Sequence, residues 1–532
     1  MVRIYTPCFF VKLRYLMKGL ILSFRVERKI KNNIYIYEVT SHWDASSKKV
    51  KKKSVYIGKK DNSSGEINKV NKILVKSSDD FGNKYFFRNI LRHSKLDEIL
   101  KNNFEDKFDI IIEILLYQLT ESKPSYLMEY SFTEDVLASE FSSQNISRLF
   151  SEIGKSESNI NKFLKDWIDI NKIQNSLFYD ITSISSYSKY IEIVEWGYNR
   201  DCEKLPQINF GILYGSTSKL PLLYKIYPGS ISDVSTLKNI HEEMKIYGFK
   251  KFTFCLDRGF YSASNLLNIY SEDFEIIIPM PFSTNLSIEL CNKEINDLEN
   301  MINFNGNTMF SKCFEIQIEE KKFHANIYLN EAKKLKELDK FSFEISEIEN
   351  KFSKNNFKNE EDISEFKEKI CSKYKKYFNI SNKDGKYKIE KNTVEMRKLI
   401  NKMGKVILLT KNPPVSKEYA ITSYLYRDEV EKVFDIMKNE LHENRLRVSS
   451  SDSVNGKLFL NFLSLICMSF ITKTMKENKL FSKLTINELI SELRKLKIIT
   501  MYNGVKILCE LTKKQKNIFN NFKIPYPNIP GM

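Results

Sequence analysis

Between residues 176 and 280, short apolar runs alternate with amphipathic segments, and this alternation restricts the possible fold more than any other feature. Three runs typical of strands come first (NSLFYDITSI, INFGILYG and LPLLYKIYP). A helix, a strand, a second helix and a further strand follow them. This order describes an α/β sheet of mixed direction. We therefore expect an α/β fold in which a mixed sheet is flanked by helices.

Two of these strands deliver aspartates. Asp180 lies within SLFYDITSI, where a buried carboxylate is costly unless it is paired or bound to a metal ion. Asp257 ends the run KFTFCLD, at the strand edge where α/β sheets bind ligands. Two such acids on neighbouring strands could share Mg²⁺, which prefers oxygen ligands. Each aspartate taken singly is more often a helix cap or a turn residue.

A third acid lies on a segment of helical periodicity, YLYRDEVEKVFDIMKNE. The pattern predicts one long helix over 423–440, on which Arg427 and Glu431 share a face and Lys438 lies two turns beyond Glu431. Four apolar positions would anchor this helix to the sheet: Val430, Val433, Phe434 and Met437. Arg427 and Lys438 would then offer cations to phosphates. The alternative is an amphipathic helix with ordinary salt pairs between residues four apart.

Three carboxylates with two divalent ions form a reaction centre for phosphodiester chemistry. One ion would activate water or a 3′-hydroxyl group, and the other would stabilise the leaving oxygen in an in-line displacement. No covalent nucleophile from the protein is then needed. Asp180, Asp257 and Glu431 are the candidates for this centre.

In these motifs the chain resembles the DDE transposases of bacterial and archaeal insertion sequences. It is most similar to the branch with a β-rich insertion and a Y-(2)-R-(3)-E-(6)-K signature, which falls on Tyr424, Arg427, Glu431 and Lys438. YDITS at Asp180 and LDRGF at Asp257 are similar to the motifs around the family's first two acids. Between them, LPLLYKIYPGSISDVSTL resembles the family's Pro–Gly–Asp–Thr stretch. The resemblance covers nearly all of the chain.

The resemblance implies a ribonuclease H-like fold with a β-rich insertion, an N-terminal β hairpin and a helical N-terminal region. It implies that Asp180, Asp257 and Glu431 hold two Mg²⁺ ions, with Mn²⁺ able to substitute. The implied activity is cut-and-paste transposition: binding of terminal inverted repeats, cleavage at element ends and strand transfer into target DNA, by a homodimer on DNA. Relatives often stack a flipped base on a tryptophan of the insertion. Here all three tryptophans (Trp43, Trp167 and Trp196) precede Asp257, which leaves a DNA hairpin intermediate open.

The net charge of +17 favours a polyanionic partner such as DNA, although part of it could reflect an AT-rich coding sequence. Ser142 or Ser143 could cap a helix that begins near Gln144, with Ile146, Leu149 and Phe150 buried. This layout is similar to a helix-turn-helix that presents Gln144, Asn145 and Arg148 to DNA, but many helical hairpins look the same. Tyr424, Arg427, Lys438 and Arg258 are further candidates for DNA contact.

Six parts are expected along the chain. They are a β hairpin unit (1–75), a helical DNA-binding region (76–175), the first part of the catalytic core (176–280), an insertion subdomain (281–415), the second part of the core with the glutamate helix (416–475) and a basic helical tail (476–532). The lysine-rich segment SHWDASSKKVKKK is expected as a turn that either follows DNA phosphates or protects an edge strand. No apolar run is expected to span a membrane, and Leu458–Phe470 should form a buried helix. Scattered cysteines fit the cytoplasm, here in association with the nucleoid.

Three other functions are alternatives to transposition. A nuclease, or a degenerate element copy that retains only cleavage, would use the same three acids. An inactive DNA-binding remnant would use the basic charge, but it gains nothing from carboxylates placed near phosphates. A glycosidase with paired carboxylates is disfavoured by the positive charge and the scarcity of tryptophan.

Overall fold

The computed structural model describes most of the chain. It covers residues 22–30, 33–44, 49–60, 67–69, 75–131, 140–295, 297–304, 306–355, 357, 360–369, 373–383, 386–414, 416–502 and 504–528. The first residues and the centre of the predicted lysine-rich turn, at 45–48, lie outside these ranges. The chain forms two compact units. The smaller holds the described residues up to Asp80 together with Lys497–Glu510, and the larger holds Phe81–Leu496 and Leu511–Asn528.

The strands are numbered along the described chain. They are β1 (Leu22–Ile30), β2 (Asn33–Asp44), β3 (Lys49–Lys60), β4 (Ile67–Lys69), β5 (Val75–Asp80), β6 (Ser176–Ser185), β7 (Gln207–Gly215), β8 (Leu220–Pro228), β9 (Thr253–Leu256), β10 (Glu275–Pro279), β11 (Met301–Phe304), β12 (Asn307–Ile318), β13 (Lys321–Asn330), β14 (Phe378–Lys383), β15 (Lys386–Lys391), β16 (Lys405–Thr410), β17 (Lys497–Met501) and β18 (Lys506–Leu508).

The α-helices are numbered in the same way. They are α1 (Gly82–His93), α2 (Leu96–Asn103), α3 (Phe108–Glu121), α4 (Ser143–Lys155), α5 (Glu157–Asn171), α6 (Asp233–Ile246), α7 (Ala263–Tyr270), α8 (Asn285–Cys291), α9 (Glu331–Lys354), α10 (Glu360–Lys369), α11 (Thr393–Ile400), α12 (Tyr419–Tyr426), α13 (Asp428–Asp435), α14 (Ser451–Glu477), α15 (Ile486–Leu493) and α16 (Lys513–Asn521). A π-helical turn, Ile436–Glu440, follows α13 directly.

The smaller unit is built from two antiparallel sheets, β1-β2-β3-β4 and β18-β17-β5. The predicted hairpin corresponds to β2 and β3 and is therefore confirmed, with β1 and β4 added on its two sides. The lysine-rich segment, expected as a turn, is strand at both ends, where Lys51 to Lys53 of β3 pair with Thr40 to His42 of β2; its centre lies outside the described residues. The prediction of a helical tail was also wrong in part, because β17 and β18 form a hairpin that pairs with β5.

A nine-stranded sheet forms the centre of the larger unit, in the order β11-β12-β13-β16-β10-β9-β6-β7-β8. Its direction is mixed, as predicted: β6 is parallel to β9 and β9 is parallel to β10, whereas the other neighbours are antiparallel. The insertion was expected as a separate subdomain. Four of its strands instead belong to the central sheet. Since β16 pairs with β10, four insertion strands continue the central sheet and satisfy the backbone groups at its edge.

The rest of the insertion forms a small cluster with its own apolar core. Helices α9, α10 and α11 and the hairpin β14–β15 contribute this core. Its buried members include Phe341, Ile345, Ile348, Phe352 and Phe366. The charged helical stretch predicted after Asn330 is therefore amphipathic, with one stripe turned inward.

The segment predicted as one helix over 423–440 is instead broken. Helix α12 ends at Tyr426, α13 begins at Asp428, and the π-helical turn ends the segment. Arg427 is the junction, since it is the C-cap of α12 and the N-cap of α13. The four predicted anchors, Val430, Val433, Phe434 and Met437, are all buried.

Helix α14 is the longest in the described chain, and it lies in the core. A Cβ atom at Gly456 would lie 1.9 Å from the carbonyl oxygen of Phe150, and one at Gly154 would lie 1.8 Å from that of Asp452. Two glycines therefore allow α4 and α14 to cross in backbone contact. By length and composition α14 could span a membrane, which corrects the expectation that no run is long enough. However, 78% of its apolar window is buried inside the protein.

Candidate active site

Asp180 and Asp257 lie on two neighbouring strands of the central sheet, at the level where β9 ends beside β6. Strands β6 and β9 are parallel, and their last paired residues are Tyr179 and Leu256. Each aspartate comes one residue after this pair. Asp257 lies just past the end of β9, whereas Asp180 is still within β6, where it pairs with Ile212 of β7. Burial raises the pKa of Asp180 to about 7, although the backbone N–H of Ile181, which donates to its carboxylate at 2.8 Å, opposes the rise.

Glu431 reaches the same place from a helix. It lies on α13, which packs against β6 through its buried residues Val430 and Val433. The glutamate itself is on the exposed side, with 47% of its side chain accessible. A helix that begins anew at Arg427 therefore presents its first turn to the two aspartates.

The guanidinium group of Arg427 joins the three acids. Its Nη2 atom lies 2.6 Å from Glu431 Oε1 and 3.7 Å from Asp257 Oδ1, and its Nη1 atom lies 3.6 Å from Asp180 Oδ2. The side chain is only 13% exposed and lies 5.6 Å from the ring centre of Tyr424. Burial lowers the pKa of Arg427, but Asp257 and Glu431 raise it by more, so the net shift is upward. One buried cation thus lies within 3.7 Å of three carboxylates.

Two of the three guanidinium nitrogens of Arg427 lack a hydrogen-bond partner among the described residues. Within the described chain, the Nε and Nη1 atoms of Arg427 are buried and have no hydrogen-bond partner. Buried guanidinium donors without partners are unfavourable, because desolvation is not repaid. The arrangement can therefore accept a further anionic group, or exchange the arginine for another cation.

Among the described residues, the other predicted cations form no ion pair with the three acids. Lys438 contacts Asp201 instead, with its Nζ atom 2.7 Å from a carboxylate oxygen. The π-helical turn changes the angular spacing after Asp435, so Lys438 does not continue the face of Glu431 as it would on a regular α-helix. Arg258 lies 5.5 Å from the ring centre of Phe282. Tyr424 is partly buried, and burial raises its pKa.

Helix α4 begins where the sequence predicted. Ser142 is its N-cap, and its hydroxyl accepts from the backbone N–H of Asn145. Gln144 and Arg148 are exposed, whereas Ile146, Leu149 and Phe150 are buried. The contact of Gln144 and Arg148 with DNA stays a prediction.

Sequence reasoning missed a second ion pair beside Asp180. Arg200 pairs with Asp233 at the start of α6, and its guanidinium also donates to Ser183 Oγ at 3.3 Å. Its positive charge lowers the pKa of Asp180 and opposes the effect of burial. A sequence signal existed only for Asp233, which lies in the stretch that follows β8 and resembles the family's Pro–Gly–Asp–Thr pattern.

The donor set suits a hard divalent cation, but the side chains are not arranged around one. Among the described residues, no three acidic, histidine or cysteine side chains are grouped so that they could hold a metal ion. Arg427 lies between the three carboxylates instead. All three candidate ligands are carboxylates, the ligand type that Mg²⁺ prefers. A metal ion would therefore replace the guanidinium as the countercharge.

The raised pKa of Asp180 predicts a pH-dependent stability. Because its pKa is about 7 in the folded protein and ordinarily 3.8, the folded state binds the additional proton between these values. This contribution to stability is present below pH 4 and is lost as the pH rises through 7. In EDTA, wild type should therefore lose about 2–4 kcal/mol of unfolding free energy relative to Asp180→Asn between pH 4 and 8.

Chemical denaturation of both proteins at several pH values measures this difference. Asp435→Asn is the matched control, since Asp435 is exposed on the same helix as Glu431 and should keep the wild-type pH dependence. Parallel curves for wild type and Asp180→Asn would show that Asp180 is ionised throughout.

Comparison with known proteins identifies the family of the chain. The sequence model of a family described as the transposase DDE domain matches residues 176–467, which is more than half of the chain. No curated protein matches the chain. Among solved structures, the chain is similar to a piggyBac transposase synaptic complex with hairpin DNA, at 9% identity and a TM-score of 0.36, over 85% of this chain and 77% of that chain. The family match spans both aspartates and the glutamate helix, and the chain therefore belongs to the family of transposases with a DDE domain.

Proposed function

We propose that this chain is the DNA transposase of an insertion sequence, with a ribonuclease H-like core and with Asp180, Asp257 and Glu431 as its catalytic acids. One observation carries the proposal. Carboxylates from β6, from the end of β9 and from α13 are all within 3.7 Å of one guanidinium group, although about 170 residues separate the second from the third. A protein that only binds DNA would not need three carboxylates at one place, because carboxylates repel phosphates.

The proposed cofactor is Mg²⁺, as two ions, with Mn²⁺ able to substitute. Asp180, Asp257 and Glu431 would hold it once Arg427 turns away from them. When bound, the metal supplies activation of the attacking hydroxyl and stabilisation of the leaving oxygen. The displaced Arg427 keeps its charge and can then neutralise a DNA phosphate at the same place. Arg427 would in this way act as countercharge to the acids first and to the substrate afterwards.

The proposed partners are the terminal inverted repeats of the element and its target DNA. The net charge of +17 supports a polyanionic substrate. The residues proposed to contact DNA are Gln144 and Arg148, at exposed positions of α4, and Arg258, Tyr424 and Lys438. A homodimer on DNA, acting in the cytoplasm at the nucleoid, completes the proposal.

End cleavage and strand transfer test the function directly. The purified chain is incubated with DNA that carries the ends found on both sides of its gene and with a target plasmid. We expect cleavage at the ends and joined products in Mg²⁺ or Mn²⁺, and neither in EDTA. Cleavage without joining would indicate the nuclease, and binding without cleavage would indicate the inactive remnant.

A further inference from the structure

A cavity of about 660 Å³ lies in the larger unit, at the C-terminal end of β6, five residues after Asp180. Four segments form it: the residues that follow α3, the end of β6 with the residues after it, the first two turns of α4, and the stretch before α14 together with the first turns of α14. We name it the basic pocket. It is lined by Pro124, Ser125, Tyr126, Ser143, Ile146, Ser147, Phe150, Ser185, Ser186, Tyr187, Ser188, Arg445, Arg447, Val448, Ser449 and Lys457.

The basic pocket is fixed to strand β6 by backbone contacts. The N–H of Leu446 donates to the carbonyl of Ser185 at 3.2 Å, and Arg445 forms a parallel bridge with Ser185. Lys457 is buried and donates to the carbonyls of Arg445 and Leu446 at 3.1 and 2.8 Å. The segment that carries the cations is therefore held in place before any ligand binds.

The charge of the lining is positive. Three cations and no carboxylate occur among the described residues that line the basic pocket. Arg445 is paired with Glu203, and Lys457 is paired with Glu443 at 2.7 Å. Arg447 is exposed, and it has neither an ion pair nor a side-chain hydrogen bond within the described part of the chain. It is thus the cation that remains available for an anion.

The lining also offers an aromatic face and free hydroxyl groups. Tyr187 is 74% exposed, and the Arg445 guanidinium lies 5.6 Å from its ring centre. Ser143, Ser147 and Ser449 make no side-chain hydrogen bond to any other described residue. A phosphate is recognised by arginine and by hydroxyl donors, and a base is recognised by stacking on an exposed ring. A nucleotide combines these two requirements.

The position of the basic pocket relative to the acids limits which nucleotide it can take. Asp180 and Ser185 lie on the same strand, five residues or about 16 Å apart. One strand of B-DNA advances about 3.4 Å per nucleotide. A DNA strand with its reactive phosphate at Asp180 therefore reaches the basic pocket about five nucleotides away.

We propose that the basic pocket binds a nucleotide of the DNA strand, about five nucleotides from the reactive phosphate, with Arg447 on its phosphate and its base stacked on Tyr187. This rests on the proposed function, since it assumes that DNA lies across the three acids. The pocket fixes the strand at a second point, and so sets which phosphate meets the acids.

Photo-crosslinking tests this arrangement. A duplex that carries the element's end is prepared with 5-iododeoxyuridine at one position at a time, bound to the full chain in EDTA and irradiated. We expect a crosslink to Tyr187 that peaks about five nucleotides from the cleavage site. Tyr187→Ala should abolish this crosslink, whereas Tyr190→Ala should not, because Tyr190 is even more exposed but lies outside the lining.

Binding of the same duplex at several salt concentrations tests Arg447. Arg447→Gln should weaken binding about tenfold and lower the salt-dependence slope by about one. Arg397→Gln is the control, since Arg397 is exposed on α11 of the insertion. If wild type cleaves element ends but shows neither the Tyr187 crosslink nor the Arg447 effect, this inference fails alone. If wild type does not bind the ends, the proposed function fails instead.

Discussion

Asp180→Asn, Asp257→Asn and Glu431→Gln are each expected to reduce Mg²⁺-dependent cleavage of element ends by at least about a thousandfold. Each amide keeps the size of the side chain but removes the negative charge that a divalent ion requires. A bound metal contributes several kcal/mol to stabilising the reacting oxygens, and each 1.4 kcal/mol corresponds to a factor of ten in rate. The measurement is cleavage of end-labelled DNA under single-turnover conditions.

Binding of the same DNA in EDTA separates chemistry from recognition. All three variants should bind it at least as tightly as wild type, because each removes a negative charge near the phosphates. Asp435→Asn, one helical turn beyond Glu431 and exposed, should cleave like wild type. Normal cleavage by any one of the three variants would remove that residue from the catalytic set.

The order of strands and helices in the core could be predicted from the sequence. Strands β6 to β10 and helices α6 and α7 occur as the apolar periodicity indicated, because a buried strand or an amphipathic helix imposes its own local pattern. The pairing of β16 with β10 could not be predicted. About 130 residues separate these strands, and local periodicity does not specify which distant strand is the neighbour.

The tail shows a signal that was present and missed. Asn and Gly at 503–504 stand between two short runs of apolar residues, which is a typical hairpin turn. Gly504 adopts a φ angle of 83° there, a conformation that side chains disfavour. Because β18 has only three residues, its alternation is too short to outweigh the helical pattern around it.

Part of the candidate site could likewise be predicted from the sequence, and part could not. The spacing of Arg427 and Glu431 predicted that they share a helix face, and they are in contact. The partner of Lys438 could not be predicted, since Asp201 lies on a long connection between β6 and β7 and the π-helical turn has no local signature. Sequence spacing thus predicted that Arg427 and Glu431 meet, whereas the contacts of Arg427 with Asp180 and Asp257 required the tertiary structure.

The second large effect concerns Arg427. Arg427→Gln should lower the unfolding free energy in EDTA by about 1–3 kcal/mol, because it removes the buried cation that contacts three carboxylates, two of which stay partly exposed to water. Arg427→Lys should fall between wild type and Arg427→Gln. A single ammonium group cannot contact three carboxylates as the two Nη atoms do. Arg397→Gln, on the exposed face of α11, should be as stable as wild type.

Mg²⁺ should restore much of the stability that Arg427→Gln loses. A cation that binds only the folded protein stabilises it in proportion to the logarithm of its concentration over Kd. In wild type Mg²⁺ must first displace Arg427, whereas in Arg427→Gln the carboxylates are free. The rise in Tm on adding Mg²⁺ should therefore be larger for Arg427→Gln than for wild type, and it should vanish in Arg427→Gln combined with Asp257→Asn. Equal rises in wild type and Arg427→Gln would mean that the metal ion and the guanidinium group do not compete for the same acids.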